Sequence, residues 1–222
     1  MDPLRALATA LLLALPLHVA AAPFAVQVGE SRIALDAPPG FADTGFTGSP
    51  RLQELAESLT SASNRVLLFA LSDADLRRFT LGDQLELRRY MIIVTSRTAE
   101  REGMSESTFR ALAGEMQREL KQVPPSGDYQ KYLESQPPGA VSMLAELRKD
   151  AGAMSVLQGT RSKGRGFFES SKYLLSSTSL VLLRGKALTL SIFTQYEDAS
   201  DLEWIRLITL RWIDDLKKLN GR

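Results

Sequence analysis

The stretch from Leu180 to Tyr196 constrains the fold of this chain more than any other. Two apolar-rich runs, Leu180–Leu183 and Ala187–Tyr196, flank the turn Arg184-Gly185-Lys186. In the second run Leu188, Leu190 and Ile192 alternate with Thr189, Ser191 and Phe193. Period-two alternation around a glycine turn specifies an antiparallel hairpin with one face to bury. Such a face needs a covering layer, and the chain ends in a segment suited to provide one. Leu202, Ile205, Thr209, Trp212, Leu216 and Leu219 recur at helical spacing. Ser200 and Glu203 read as a capping box at its start. Lys217 and Lys218 suit the negative end of the helix, and Asn220-Gly221 ends it.

The same reading extends along the chain. Phe24, Val26 and Val28, then Ile33 and Leu35 across Gly29-Glu30, predict an opening hairpin. Pro38-Pro39-Gly40 closes it. Ser49-Pro50 predicts a helix start, with Leu52, Leu55, Ala56 and Leu59 on its apolar face. Arg65–Leu71 and Glu86–Thr95 read as strands, the second with Tyr90, Ile92 and Val94 on one face. Ser105 is expected to cap a helix that buries Phe109, Leu112, Ala113, Met116 and Leu120 and stops at Pro124-Pro125. Tyr129–Glu134 and Val141–Lys149 are expected as short helices, and strand character resumes at Val156. Tight turns imply antiparallel pairing, and helices inserted between strand pairs imply a layer packed on the sheet. The expected class is α+β, a mainly antiparallel sheet with helices packed on it.

The opening hairpin, the Ala37-Pro38-Pro39-Gly40-Phe41 exit, the central strand pair and the closing hairpin with its Trp-bearing helix resemble the PsbP-like α/β/α sandwich. The resemblance is one of topology and spans most of the chain. Exported bacterial proteins of unknown role share similar features, and PsbP itself is an accessory subunit of the oxygen-evolving complex. The resemblance implies an accessory role and carries no functional motif with it.

The N-terminus reads as a secretory signal. Arg5 precedes an apolar run from Ala6 to Leu17, followed by Val19-Ala20-Ala21-Ala22-Pro23. Small residues at Val19 and Ala21 place the expected cut after Ala21. Residues 22–222 are then expected to form one periplasmic or secreted globular domain. The apolar run falls short of the roughly 20 residues that span a bilayer.

Chemistry is narrowed by what the chain lacks. It has no cysteine, and its one histidine is His18, inside the signal. Catalysis by a Ser-His-Asp triad or a Cys-His pair, thiol redox chemistry and His/Cys zinc sites are therefore excluded after cleavage. A net charge of +1 gives no overall field toward nucleic acid or an anionic membrane. No cofactor and no metal site is expected. Glycoside hydrolysis by two carboxylates needs no histidine. Its candidates, Asp73 with Asp75, Glu100 with Glu102 and Asp214 with Asp215, read more simply as solvated surface. Trp212 reads as core. Trp204, off the buried stripe, reads as packing on the helix flank.

The segment Gly159–Lys172 concentrates charge. Arg161, Lys163, Arg165 and Lys172 face only Glu169. Glycines there permit close approach to the backbone, so an anionic envelope component or an acidic partner protein is the expected ligand. The alternative is a solvated strand edge whose charges discourage pairing. The resulting expectation is a non-enzymatic accessory or binding protein. A carboxylate-dependent cell-envelope glycan hydrolase and a small-ligand carrier are the other readings.

Overall fold

The computed structural model describes residues 23–119, 128–162 and 173–221. Its centre is a seven-stranded, wholly antiparallel sheet. The strands are β3 (Phe41–Asp43), β4 (Asn64–Ser72), β5 (Arg89–Ser96), β6 (Val141–Asp150), β7 (Ala153–Arg161), β8 (Tyr173–Leu183) and β9 (Lys186–Gln195). Their order across the sheet is β3-β4-β5-β9-β8-β7-β6. A separate hairpin, β1 (Phe24–Val28) with β2 (Ser31–Leu35), pairs as the alternation requires. The α+β expectation holds.

The β8–β9 hairpin closes through a two-residue turn in which Arg184 and Gly185 both take positive φ, 49° and 73°. That conformation matches the right-handed twist of the strands it joins. Leu188, Leu190 and Ile192 point into one core with Val181, Leu183, Met91 and Ile93. The closing helix α5 (Ala199–Asn220) covers that face with Ile205, Trp212, Ile213 and Leu216. Thr209 sits in the same stripe and shares a 2.6 Å hydrogen bond with Ser177 of β8. The small pair lets the helix approach the sheet closely. Asp198, not Ser200, caps this helix, because its carboxylate accepts the Ser200 N–H at 2.7 Å.

Three helices lie on the opposite face. Helix α1 (Pro50–Ser58) and helix α2 (Asp73–Leu81) cover β4 and β5 through Leu52, Ala56, Phe69, Leu71, Tyr90 and Ile92. Helix α3 (Glu106–Glu119) covers the other half, with Phe109 and Ala113 against Met154 and Val156. Its Leu112 is exposed rather than buried. Ser105 caps it as expected, accepting the Thr108 N–H. Leu120 and Pro124-Pro125 lie outside the described residues. The short helix α4 (Tyr129–Glu134) packs Leu133 into the core shared with α5.

Two expectations are corrected here. Val141–Lys149 is strand β6, not a helix. Its Met, Leu, Ala and Glu favour helices, but pairing with β7 overrides that weak preference. Register shifts at Met143/Ala145 and Glu146/Arg148 erase the alternation that would have marked a strand. Strand β5 begins at Arg89 rather than Glu86, since Leu87 takes φ 48° and breaks the run.

Candidate functional site

Of the four cations expected to form an anion site, Arg161 is described and Lys163, Arg165 and Lys172 lie outside the described residues. Arg161 ends β7 and pairs with Tyr173. Its guanidinium donates to the Glu134 carbonyl at 3.0 Å, so its described contact is with helix α4.

Asp75, Glu100 and Asp214, among the candidate catalytic carboxylates, have structural partners. Asp75 is buried, which corrects its solvated reading. It accepts from the Ser72 hydroxyl at 3.1 Å and from the Glu86 N–H at 2.9 Å. Glu100 pairs with Arg65 at 2.6 Å. Asp214 pairs with Arg148 at 2.6 Å. Among the described residues no three acidic, histidine or cysteine side chains converge to hold a metal. Trp204 packs as expected: its ring lies 6.1 Å from Phe41 and carries the Arg89 guanidinium at 4.1 Å.

One concavity among the described residues is not announced by the sequence. Strand β3 pairs with β4 over Ala70–Ser72 only. Strand β4 runs on from Leu68 back to Asn64 with β5 on one side and, among the described residues, no strand on the other. That open edge faces helix α1 across a groove of about 700 Å³. The main-chain groups of an open strand edge are a template for further pairing.

Each wall follows from local chemistry. Asp43 ends β3, and its carboxylate accepts the Phe69 N–H at 3.2 Å, replacing the acceptor that a longer strand would supply. The Thr44 N–H donates to the Phe69 carbonyl at 2.7 Å. Gly45 permits this, since a Cβ there would stand 2.9 Å from the Asp43 carboxylate. Burial pushes the Asp43 carboxyl above the ordinary carboxylate value, against the lowering effect of the Gly45, Phe69 and Thr44 N–H groups. On the helix side stand Gln53 and Glu57, joined amide to carboxylate at 3.0 Å, and Ala56.

The far end is basic. Arg65 is committed to Glu100 and to the Gln27 carbonyl, at 2.6 and 2.7 Å. Arg97 is exposed, and its Nε donates to the Asn64 carbonyl at 3.1 Å. At the near end, the turn Gly45–Thr47 holds Phe46 with 71% of its surface exposed, between two glycines that line the groove. The Gly-Phe-Thr-Gly run, set between Pro-Pro-Gly and Ser-Pro, is the sequence signal for a short strand cut off by a turn.

A second cleft of about 490 Å³ lies between Ala37-Pro38-Pro39 and the end of α5. Trp212 closes its floor, donating from its indole to the Asp36 carbonyl at 2.8 Å. Ile205, Ile213 and Leu216 of α5 are buried in the core that it shares with the sheet. No described helix is long and apolar enough to cross a membrane.

No family model matches the sequence, and no curated protein matches it. Among solved structures, the Ran-binding protein Mog1p of Saccharomyces cerevisiae is similar to 90% of this chain over 94% of its own length. The identity is 11% and the TM-score 0.35. A likeness of that degree assigns no residue and no role.

Proposed function

We propose that this is an exported, non-enzymatic binding protein of the cell envelope, and that it engages its partner in the groove between helix α1 and the open edge of β4. The observation that carries the reading is the edge itself. Among the described residues no strand pairs with Arg65–Leu68 of β4 on the side away from β5, and that edge lies beside a groove of about 700 Å³. A strand edge without a strand neighbour is common ground for protein partners.

Export rests on the N-terminal signal pattern, which lies outside the described residues. The accessory role implied by the PsbP-like resemblance belongs to the same proposal. The missing histidine and cysteine chemistry argues for binding over catalysis. Asp75, Glu100 and Asp214, three of the acidic residues proposed for glycan hydrolysis, are engaged in structural contacts. The basic segment from Arg161 to Lys172 remains a proposed second contact for an anionic envelope component.

Two measurements test the proposal. Intact mass of protein recovered from the periplasm should begin at Ala22; a mass retaining Met1–Ala21 contradicts export with cleavage. A photo-crosslinking residue at Gln53, in the groove wall, should capture an envelope protein. The same residue at Leu207, exposed on α5, should not. Equal capture at both positions, or none at Gln53, contradicts the groove.

A further inference from the structure

We infer that the occupant of the groove is an extended segment of another protein, added antiparallel to β4 as an eighth strand, with a carboxylate at the end that meets Arg97. The inference rests on the groove reading and names its ligand.

The fit follows from the edge. Among the described residues Arg65–Leu68 of β4 has no strand partner on this side and carries a bulge between Val66 and Leu68, while the Asn64 N–H and carbonyl are already bonded to Ser61 and Arg97; four residues of an antiparallel partner span roughly 13 Å. Strand β3 already lies antiparallel on this same edge and ends at Asp43. A guest strand continuing in line with β3 keeps its sense, so its N-terminal end starts beside Thr44 and its C-terminal end reaches Arg65. An antiparallel ladder is also the slightly more stable pairing per residue.

Charge then selects the guest's ends. Asp43 offers little attraction at the near end, because its carboxylate is occupied by main-chain N–H groups. At the far end Arg65 is already neutralised by Glu100. Arg97 is exposed, and its described contact is to the neutral Asn64 carbonyl. A carboxylate near the guest's C-terminal end would pair with it, and charged groups of this kind fix register and orientation more than raw affinity.

The test uses labelled eight-residue Val/Thr-rich peptides and fluorescence anisotropy on the mature protein. A peptide with aspartate at its C-terminal end should bind. Moving the aspartate to the N-terminal end should weaken binding about tenfold, as should N-methylating alternate backbone amides. Arg97→Glu should reverse the preference in favour of a lysine-ended peptide. Equal binding of the N-methylated peptide, or an unchanged preference in Arg97→Glu, overturns strand addition. If no peptide binds while Gln53 still crosslinks a partner, strand addition fails and the groove stands. If Gln53 also captures nothing, both fail. A concentration-dependent dimer that the aspartate-ended peptide does not dissociate assigns the edge to a second copy and overturns the inference.

Discussion

The Asp43 carboxylate accepts the main-chain N–H of Phe69 at 3.2 Å, and at that point strand β3 stops pairing with β4. A side chain thus takes the place of the next strand residue, and among the described residues no strand continues along β4 from Leu68 to Arg65 on that side.

This bond predicts a pH signature. Burial raises the Asp43 carboxyl above its ordinary value of 3.8. The folded state therefore holds that proton more readily than the unfolded state does. Wild type should gain stability as pH falls from neutrality through the raised value, with the full gain present below 3.8. Asp43→Asn keeps an acceptor oxygen but cannot titrate. The difference in thermal midpoint between the two should shift in favour of wild type from pH 7 to pH 4. A difference independent of pH contradicts the assignment.

Asp150 predicts the opposite sign. Burial alone would raise its carboxyl, but the Gly152 N–H, Arg148 and Lys217 together hold it well below the ordinary range. It ties β6 to α5, with Arg148 at 2.6 Å and Lys217 at 3.0 Å. Its contribution should be present above pH 3.8 and lost as pH falls through the depressed value. The cluster is partly exposed, so after solvent screening Asp150→Ala should cost only about 1 kcal/mol or less at pH 7. Chemical denaturation at pH 7 and at pH 2 checks both statements; a cost that is larger at pH 2 contradicts them.

Trp212 is 2% exposed and holds Asp36 through its indole N–H. Trp212→Ala should cost about 3–5 kcal/mol, a large part of the stability of most domains. Trp212→Phe should cost less, since the ring remains and one hydrogen bond is lost. A thermal midpoint unmoved by the alanine change would show that α5 does not seal the core.

Asp201 is 1% exposed and accepts from the Arg89 guanidinium at 2.8 Å, while Arg89 also lies over Trp204. Asp201→Ala should cost about 1.5–3 kcal/mol, the range for a hydrogen bond to a charged group. Asp201→Asn should recover part of it by keeping an acceptor. Equal losses in both variants would contradict a role for this oxygen.

The parts of the fold that could be read from the residues were those set by local pattern. Leu188, Leu190 and Ile192 alternate, Ser105 caps its helix, and the Tyr129–Glu134 helix has the bounds expected for it. The misread parts depend on distant pairing. Val141–Asp150 looks helical because two bulges hide its period, and only β7 makes it a strand. Ser200 and Glu203 mimic a capping box two residues after the true cap, Asp198. The groove was illegible for a deeper reason. No residue type marks it; it exists because β3 is three residues long and β4 is nine. Arg97 became a candidate only when folding set it beside Asn64.

The central claim is that a guest strand binds along β4, and amide hydrogen exchange of the isotope-labelled mature protein, with and without the aspartate-ended peptide, tests it most directly. New protection should appear within Arg65–Leu68 and at no other strand edge. Protection confined to α5, or to the segment around Arg161, would contradict it.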